Sequence, residues 1–302
     1  MEHSQTLPVS VLAREVTPRS TGRWRLALRA FVRHRLAAAG LVVIALIALA
    51  TIAAPLVAPY DPNAVDLGAV REGPSGDHLL GTDEIGRDVF SRVIYGGRVS
   101  LSVGLVSVTI YTIIGILLGS VSGYFGGVVD GTIQRLTDTV MCFPSLVIII
   151  AAVAILGPSI YNVMIVIGLL SWPGICRLVR AQFLSLRERE FVEAARSIGG
   201  GHRDLIFRHI LPNTLSPVIV AATFGVASAI LTEAGLSFLG LGVQPPTPSW
   251  GNLINTAQSV SVLQRMPWLW IPAGLLIAMS VLSINFIGDG LRDALDPRAR
   301  DR

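Results

Sequence analysis

The chain has 302 residues, of which 52% are hydrophobic and only 15% charged, where a soluble domain carries about 25% charge. All 24 basic residues are arginine and none is lysine. This excludes a P-loop, whose lysine reaches the phosphates, and any Schiff-base chemistry on this chain. The formal net charge is +4, and its meaning depends on where the arginines lie.

A membrane-crossing helix needs about 20 apolar residues, because each adds about 1.5 Å to a path of about 30 Å. Charge is absent from Leu36 to Tyr60, from Val99 up to Asp130, from Thr139 to Cys176, from Ile210 to Thr232 and from Met266 to Gly288. The third of these stretches is long enough for two spans, with a break at Gly157-Pro158. The predicted fold is therefore all-α and polytopic, with six spans near 36–58, 99–121, 140–156, 160–176, 213–235 and 267–288.

Arginine placement orients these spans, since cytoplasmic loops carry the basic excess. With the N-terminus inside, the inner segments hold 19 arginines: seven up to Arg35, then Arg135, seven from Arg177 to Arg208, and four from Arg292 to Arg302. The outer segments hold five, namely Arg71, Arg87, Arg92, Arg98 and Arg265. Both termini are expected in the cytoplasm, and the basic excess needs no nucleic-acid partner to explain it. Residues 1–35 read as a basic tail, in which Trp24, Leu28 and Phe31 recur at helical spacing as in a helix lying in the membrane interface. Residues 36–302 read as one transmembrane domain. Ala48-Leu49-Ala50 resembles a cleavage site, but the long basic leader and apolar run fit an uncleaved anchor better. Cys142 and Cys176 lack metal-ligand spacing and read as small apolar residues; no metal site is expected.

The segments between spans carry the functional signal. The outer loop 59–98 opens on Pro59-Tyr60-Asp61-Pro62, which cannot continue a helix. It closes on a glycine- and charge-rich stretch whose structural reading is a cap over the bundle. The cytoplasmic segment 177–212 contains a predicted helix from Leu186 to Ile198, with Phe191, Ala194, Ala195 and Ile198 on one face. Gly199-Gly200-Gly201 stops it, a second amphipathic stretch starts near Asp204, and Pro212 begins the next span. Such a helix–turn–helix would leave its apolar face without cover in its own chain, so it predicts a partner. A second outer loop, 237–266, carries a Pro-rich turn from Gln244 to Trp250.

Glu193-Ala194-Ala195, then Gly199 and Leu211-Pro212, resemble the EAA loop of ABC-importer permeases. His209 stands where the general pattern has an aliphatic residue, and Phe207 to Asn213 looks like the dipeptide, oligopeptide and nickel branch. Two further stretches resemble the C-type permease of that branch. One is Gly81-Thr82-Asp83-Glu84-Ile85-Gly86-Arg87-Asp88 with Arg92; the other runs from Leu231 through Glu233 and Gly242 to Gly251. Together the resemblance covers most of residues 20–290.

The resemblance implies a type I importer permease in a bacterial inner membrane. It implies a homologous second permease, two ATP-binding subunits (or one fused) that hold the ATP and Mg, and an extracytoplasmic solute-binding protein. The helix from Leu186 to Ile198 would dock into the ATP-binding subunit, with Gly199 supplying the turn and Glu193, Arg196 and Arg203 pairing charges there. No cofactor and no catalysis are expected of this chain. Asn162, Ser228, Glu233 and Asn285 are candidates to line the path or to join helices within the bundle. A membrane hydrolase is disfavoured because none of the five histidines lies in a predicted span. A secondary transporter is disfavoured because the spans hold almost no charge for ion coupling. The expected cargo is a peptide, with nickel or another small solute as the alternative.

Overall fold

In the computed structural model, residues 31–295 are described, and among them every regular element is helical. The first helix, α1 (Arg35–Ile52), starts where His34 Nδ1 accepts from the Ala37 N–H at 3.1 Å. The second, α2 (Val89–Phe125), has 37 residues, about 55 Å at 1.5 Å per residue. That is nearly twice the hydrocarbon thickness, so both of its ends reach beyond the apolar layer. Asp88 caps its start, accepting from Ser91 N at 2.7 Å, and Gly126 at φ 69° ends it.

The predicted third span, 140–156, is corrected by the structure. Helices α3 (Gly127–Met141) and α4 (Ser145–Leu156) meet at 80° across Pro144, whose ring cannot continue α3. Among the described residues, five helices are long and apolar enough to cross a membrane, and the number is six when the bent pair is counted as one broken span. The break expected at Gly157-Pro158 is present, with Gly157 at φ 89°. Helices α5 (Ile160–Leu170) and α6 (Trp172–Leu186) then form one 27-residue span that is interrupted only at Ser171.

The short α7 (Glu190–Ser197) follows. Past the glycine triplet, the chain does not form a separate second helix ahead of a span. A helical turn at His202–Asp204 runs through a π-helical stretch, Leu205–Ile210, directly into α8 (Leu211–Phe238). Pro212 therefore sits inside a continuous 37-residue rod rather than at its beginning. Proline lacks an N–H and crowds the carbonyl four residues earlier, and the wider π turn just before it accommodates both defects. Helices α9 (Trp250–Asn255) and α10 (Ile271–Leu295), with short helical turns at Ala54–Val57 and Val260–Arg265, complete the described fold.

Packing inverts the usual distribution. Leu41, Val42, Leu46 and Leu49 on α1 are exposed, while Ser100, Ser107, Ser122 and Ser280 are buried; this is the pattern of a bundle whose solvent is lipid. The backbones of α2 and α6 approach closely along a glycine ridge. A Cβ at Gly115 would lie 2.6 Å from Ile175 Cβ, and one at Gly123 would lie 2.6 Å from Phe183 Cβ. The predicted interfacial helix over 22–35 lies mostly outside the described residues; Phe31 is buried against Ala37 and Ala294.

Candidate functional site

At the end of the bundle that the arginine pattern assigns to the cytoplasm, α7 has two apolar faces. Val192 and Ala195 point inward and are buried with Leu205, Ile206 and Ile210 of the π stretch. Ala195 therefore departs from the expected partner-facing set: it packs within its own chain, because Val192 and Ala195, three apart, form a second stripe. Phe191, Ala194 and Ile198 stay outside, Ile198 being 88% exposed, and Phe207 stands exposed nearby. Glu193 and Arg196 flank them at the surface. Gly199 at φ 91° makes the turn, and a Cβ there would touch nothing within 4 Å. Its requirement is thus conformational rather than steric. His209 turns toward its own chain, 3.4 Å from Asp204, and Leu211 and Pro212 are built into α8.

This loop is tied to the rest of the bundle. Arg187 donates to the Gly123 carbonyl at 3.2 Å, and Tyr124 Oη lies 2.8 Å from His202 Nδ1. Arg180 on α6 makes a bidentate pair with Asp130 on α3, both bonds at 2.6 Å. Sequence reading missed these partners. The arginines were visible as orientation signal, but the carboxylate that Arg180 pairs with and the carbonyl that Arg187 reaches lie 50 and 64 positions away.

The opposite end is closed by the stretch from Gly81 to Arg92. Thr82 pairs with Asp88 as an isolated antiparallel bridge, its hydroxyl donates to the Ala69 carbonyl, and His78 Nδ1 lies 3.0 Å from Asp88. Asp83 accepts from Arg87 Nε at 2.7 Å, while Arg92 Nη1 donates to the Pro62 carbonyl at 2.9 Å. Gly86, at φ 81°, passes the Asp66 backbone so closely that any side chain would collide with it. Every residue of the predicted outer motif (Gly81, Thr82, Asp83, Gly86, Arg87, Asp88 and Arg92) belongs to this one folded cap.

The intramembrane polar candidates separate. Glu233 is fully buried and accepts from Ser100 Oγ at 2.9 Å and Ser237 Oγ at 2.7 Å, while Ser100 in turn accepts from Trp250 N. It joins α8, α2 and α9 within the bundle. Asn162 donates to the carbonyls of Leu156 and Gly157 and so closes the α4–α5 turn. Asn285 is half-buried on α10. Ser228 lines a cavity of about 340 Å³, which it shares with Tyr111, Ser171, Phe224 and Thr232. Neither Tyr111 nor Phe224 was singled out by sequence, because an aromatic in an apolar span carries no signal of its own.

Residues 115–301 match the family described as the inner membrane component of binding-protein-dependent transport systems. The chain belongs to that family. Residues 22–74 of the permease also match the N-terminal transmembrane domain of oligopeptide transport permease C. A Brucella suis biovar 1 chain, provisionally named a peptide permease protein, is 48% identical over 282 residues, 93% of each chain. The dipeptide transport system permease protein of Alkalihalophilus pseudofirmus is 44% identical over 92% of this permease and 90% of its own length. Inward-facing MetNI, a methionine ABC transporter, shares the fold with a TM-score of 0.54 at 17% identity, covering 68% of this chain and 97% of that one. The permease is accordingly a multi-pass protein of a bacterial inner membrane.

Proposed function

We propose that this permease forms half of the translocation path of an ATP-driven peptide importer and couples that path to ATP hydrolysis carried out by partner subunits. The observation that carries this reading is the exposed face of α7. Phe191, Ala194 and Ile198 remain uncovered although the opposite face of the same eight-residue helix is fully packed. An apolar face on a helix held out from the membrane fits a groove on a soluble partner, and the small Ala194 permits close approach. The other half of the path is a homologous permease, and a solute-binding protein delivers cargo at the capped end. Peptide cargo is favoured over nickel by the names of the relatives.

The mechanical argument follows from continuity. A displacement of α7 is passed through its packing onto the π stretch and so along the continuous 37-residue rod His202–Phe238, about 55 Å long, which Glu233 anchors near its far end. Ser228 and Thr232 lie along that rod on the wall of the 340 Å³ cavity, so tilting it changes the shape of the path. Hydroxyl groups and aromatic faces without charge suit a peptide backbone in transit and hold it weakly enough for release.

Gly199→Asp and Glu193→Lys test the coupling. In proteoliposomes both variants are expected to assemble with their partners, to retain ATP hydrolysis and to lose peptide uptake. Unchanged uptake in both would refute the docking role of α7.

A further inference from the structure

Between the cap and the turn after α8 lies a second cavity, of about 280 Å³, near the lower limit for small-molecule sites. Its walls include Asp83, Arg87, Arg92, Gln244, Asn252 and Asn255, none of which the coupling geometry uses. Two guanidinium groups face a single carboxylate there, so the cluster is short of acceptors. Asp83 Oδ2 takes the Arg87 Nε–H at 2.7 Å and stands 3.9 Å from Arg92 Nε, too far for a hydrogen bond. The Arg92 side chain is only 4% exposed; its Nη1 donates to the Pro62 carbonyl at 2.9 Å and, at 3.5 Å, to the Pro246 carbonyl, while its Nε has no partner. A buried guanidinium of this kind is stabilised by any anion that adds acceptors, and its planar fork matches a carboxylate.

The rest of the lining is neutral. The amide nitrogens of Gln244, Asn252 and Asn255 donate to backbone carbonyls, which fixes the three side chains and adds no competing charge. A short peptide entering by its C-terminus would set its carboxylate against the guanidinium groups and its amide body along the neutral lining, leaving its N-terminal ammonium at the open mouth, in solvent.

We propose that this cavity binds the C-terminal carboxylate of a short peptide, with Arg87 and Arg92 as its guanidinium clamp. The proposal rests on the peptide-import reading and adds a cargo site outside the cavity lined by Ser228. The test is calorimetric titration of the assembled transporter in nanodiscs, without binding protein, using dialanine and dialanine amide. Dialanine should bind at least about tenfold more tightly than its amide, because only the acid offers the charge-assisted pair. Arg87→Gln should weaken dialanine by a similar factor. Gln244→Glu, at an exposed position outside the ion-pair cluster, should do the same by placing a like charge at the mouth. Equal binding of acid and amide, dialanine binding that Gln244→Glu leaves unchanged, or no dialanine binding at all would overturn the site. Uptake of labelled dialanine separates the two readings. Transport without this binding overturns the site alone, whereas binding in a transporter that imports no peptide overturns the import reading alone.

Discussion

Glu233 is the residue whose burial asks most of its neighbours. It holds two serine hydroxyls, and through Ser100 it also fixes the start of α9. Glu233→Ala should cost about 1–3 kcal/mol for each hydroxyl left without its acceptor, with Glu233→Gln losing less; thermal unfolding of the purified complex followed by tryptophan fluorescence measures this, since Trp250 sits in the cluster. From the sequence, Glu233 was recognisable as an ionisable group at a span edge. Its partner Ser100 was not, because it lies 133 positions away and one serine in an apolar run resembles any other. Gly199 was fully legible, because a glycine triplet after an amphipathic run has few other uses. The cap residues were legible as a motif and not as a geometry, since the Asp66 backbone that Gly86 must clear carries no sequence signal.

At the scale of elements, hydropathy located the helices and missed how they join. Apolar runs report length and composition, so α1, α2 and α10 lie where expected, whereas the 80° bend before α4 and the π stretch before α8 both arise from single prolines inside otherwise uncharged or amphipathic segments. The inward stripe of α7 was hidden for a related reason: in an eight-residue helix two overlapping apolar faces share one pattern. The contacts between α3 and α6 make a quantitative prediction. Asp130–Arg180 is bidentate, with its side chains 17% and 31% exposed, and Asp138–Arg177 lies on the same two helices at 59% and 46% exposure. Double-mutant cycles on thermal stability should give about 1–2 kcal/mol for the first pair and less than about 0.5 kcal/mol for the second. Equal coupling would mean that burial does not govern these pairs.

For the whole molecule, arginine bias predicts sidedness, and labelling can check it. In a background lacking Cys142 and Cys176, Ser75→Cys should react with a membrane-impermeant maleimide in spheroplasts and Thr132→Cys, away from the docking helix, only after permeabilisation; the reverse pattern would invert the topology. Both positions are exposed, so access rather than burial decides the outcome. The bend between α3 and α4 also bears on the membrane itself. Twelve residues in α4 reach about 18 Å, well short of a hydrocarbon layer of about 30 Å. Where α4 alone faces the hydrocarbon, the lipids beside it shorten or tilt their chains, at a cost of fractions of a kcal/mol per Å of mismatch. If the bend straightens during the transport cycle, the cost is released, and bilayer thickness becomes a variable of turnover. Uptake measured across a series of phosphatidylcholines of increasing acyl length should then change with thickness, while binding of the ATP-hydrolysing partners stays constant. The cell could thus tune such an importer through fatty-acid composition, without altering a residue of it.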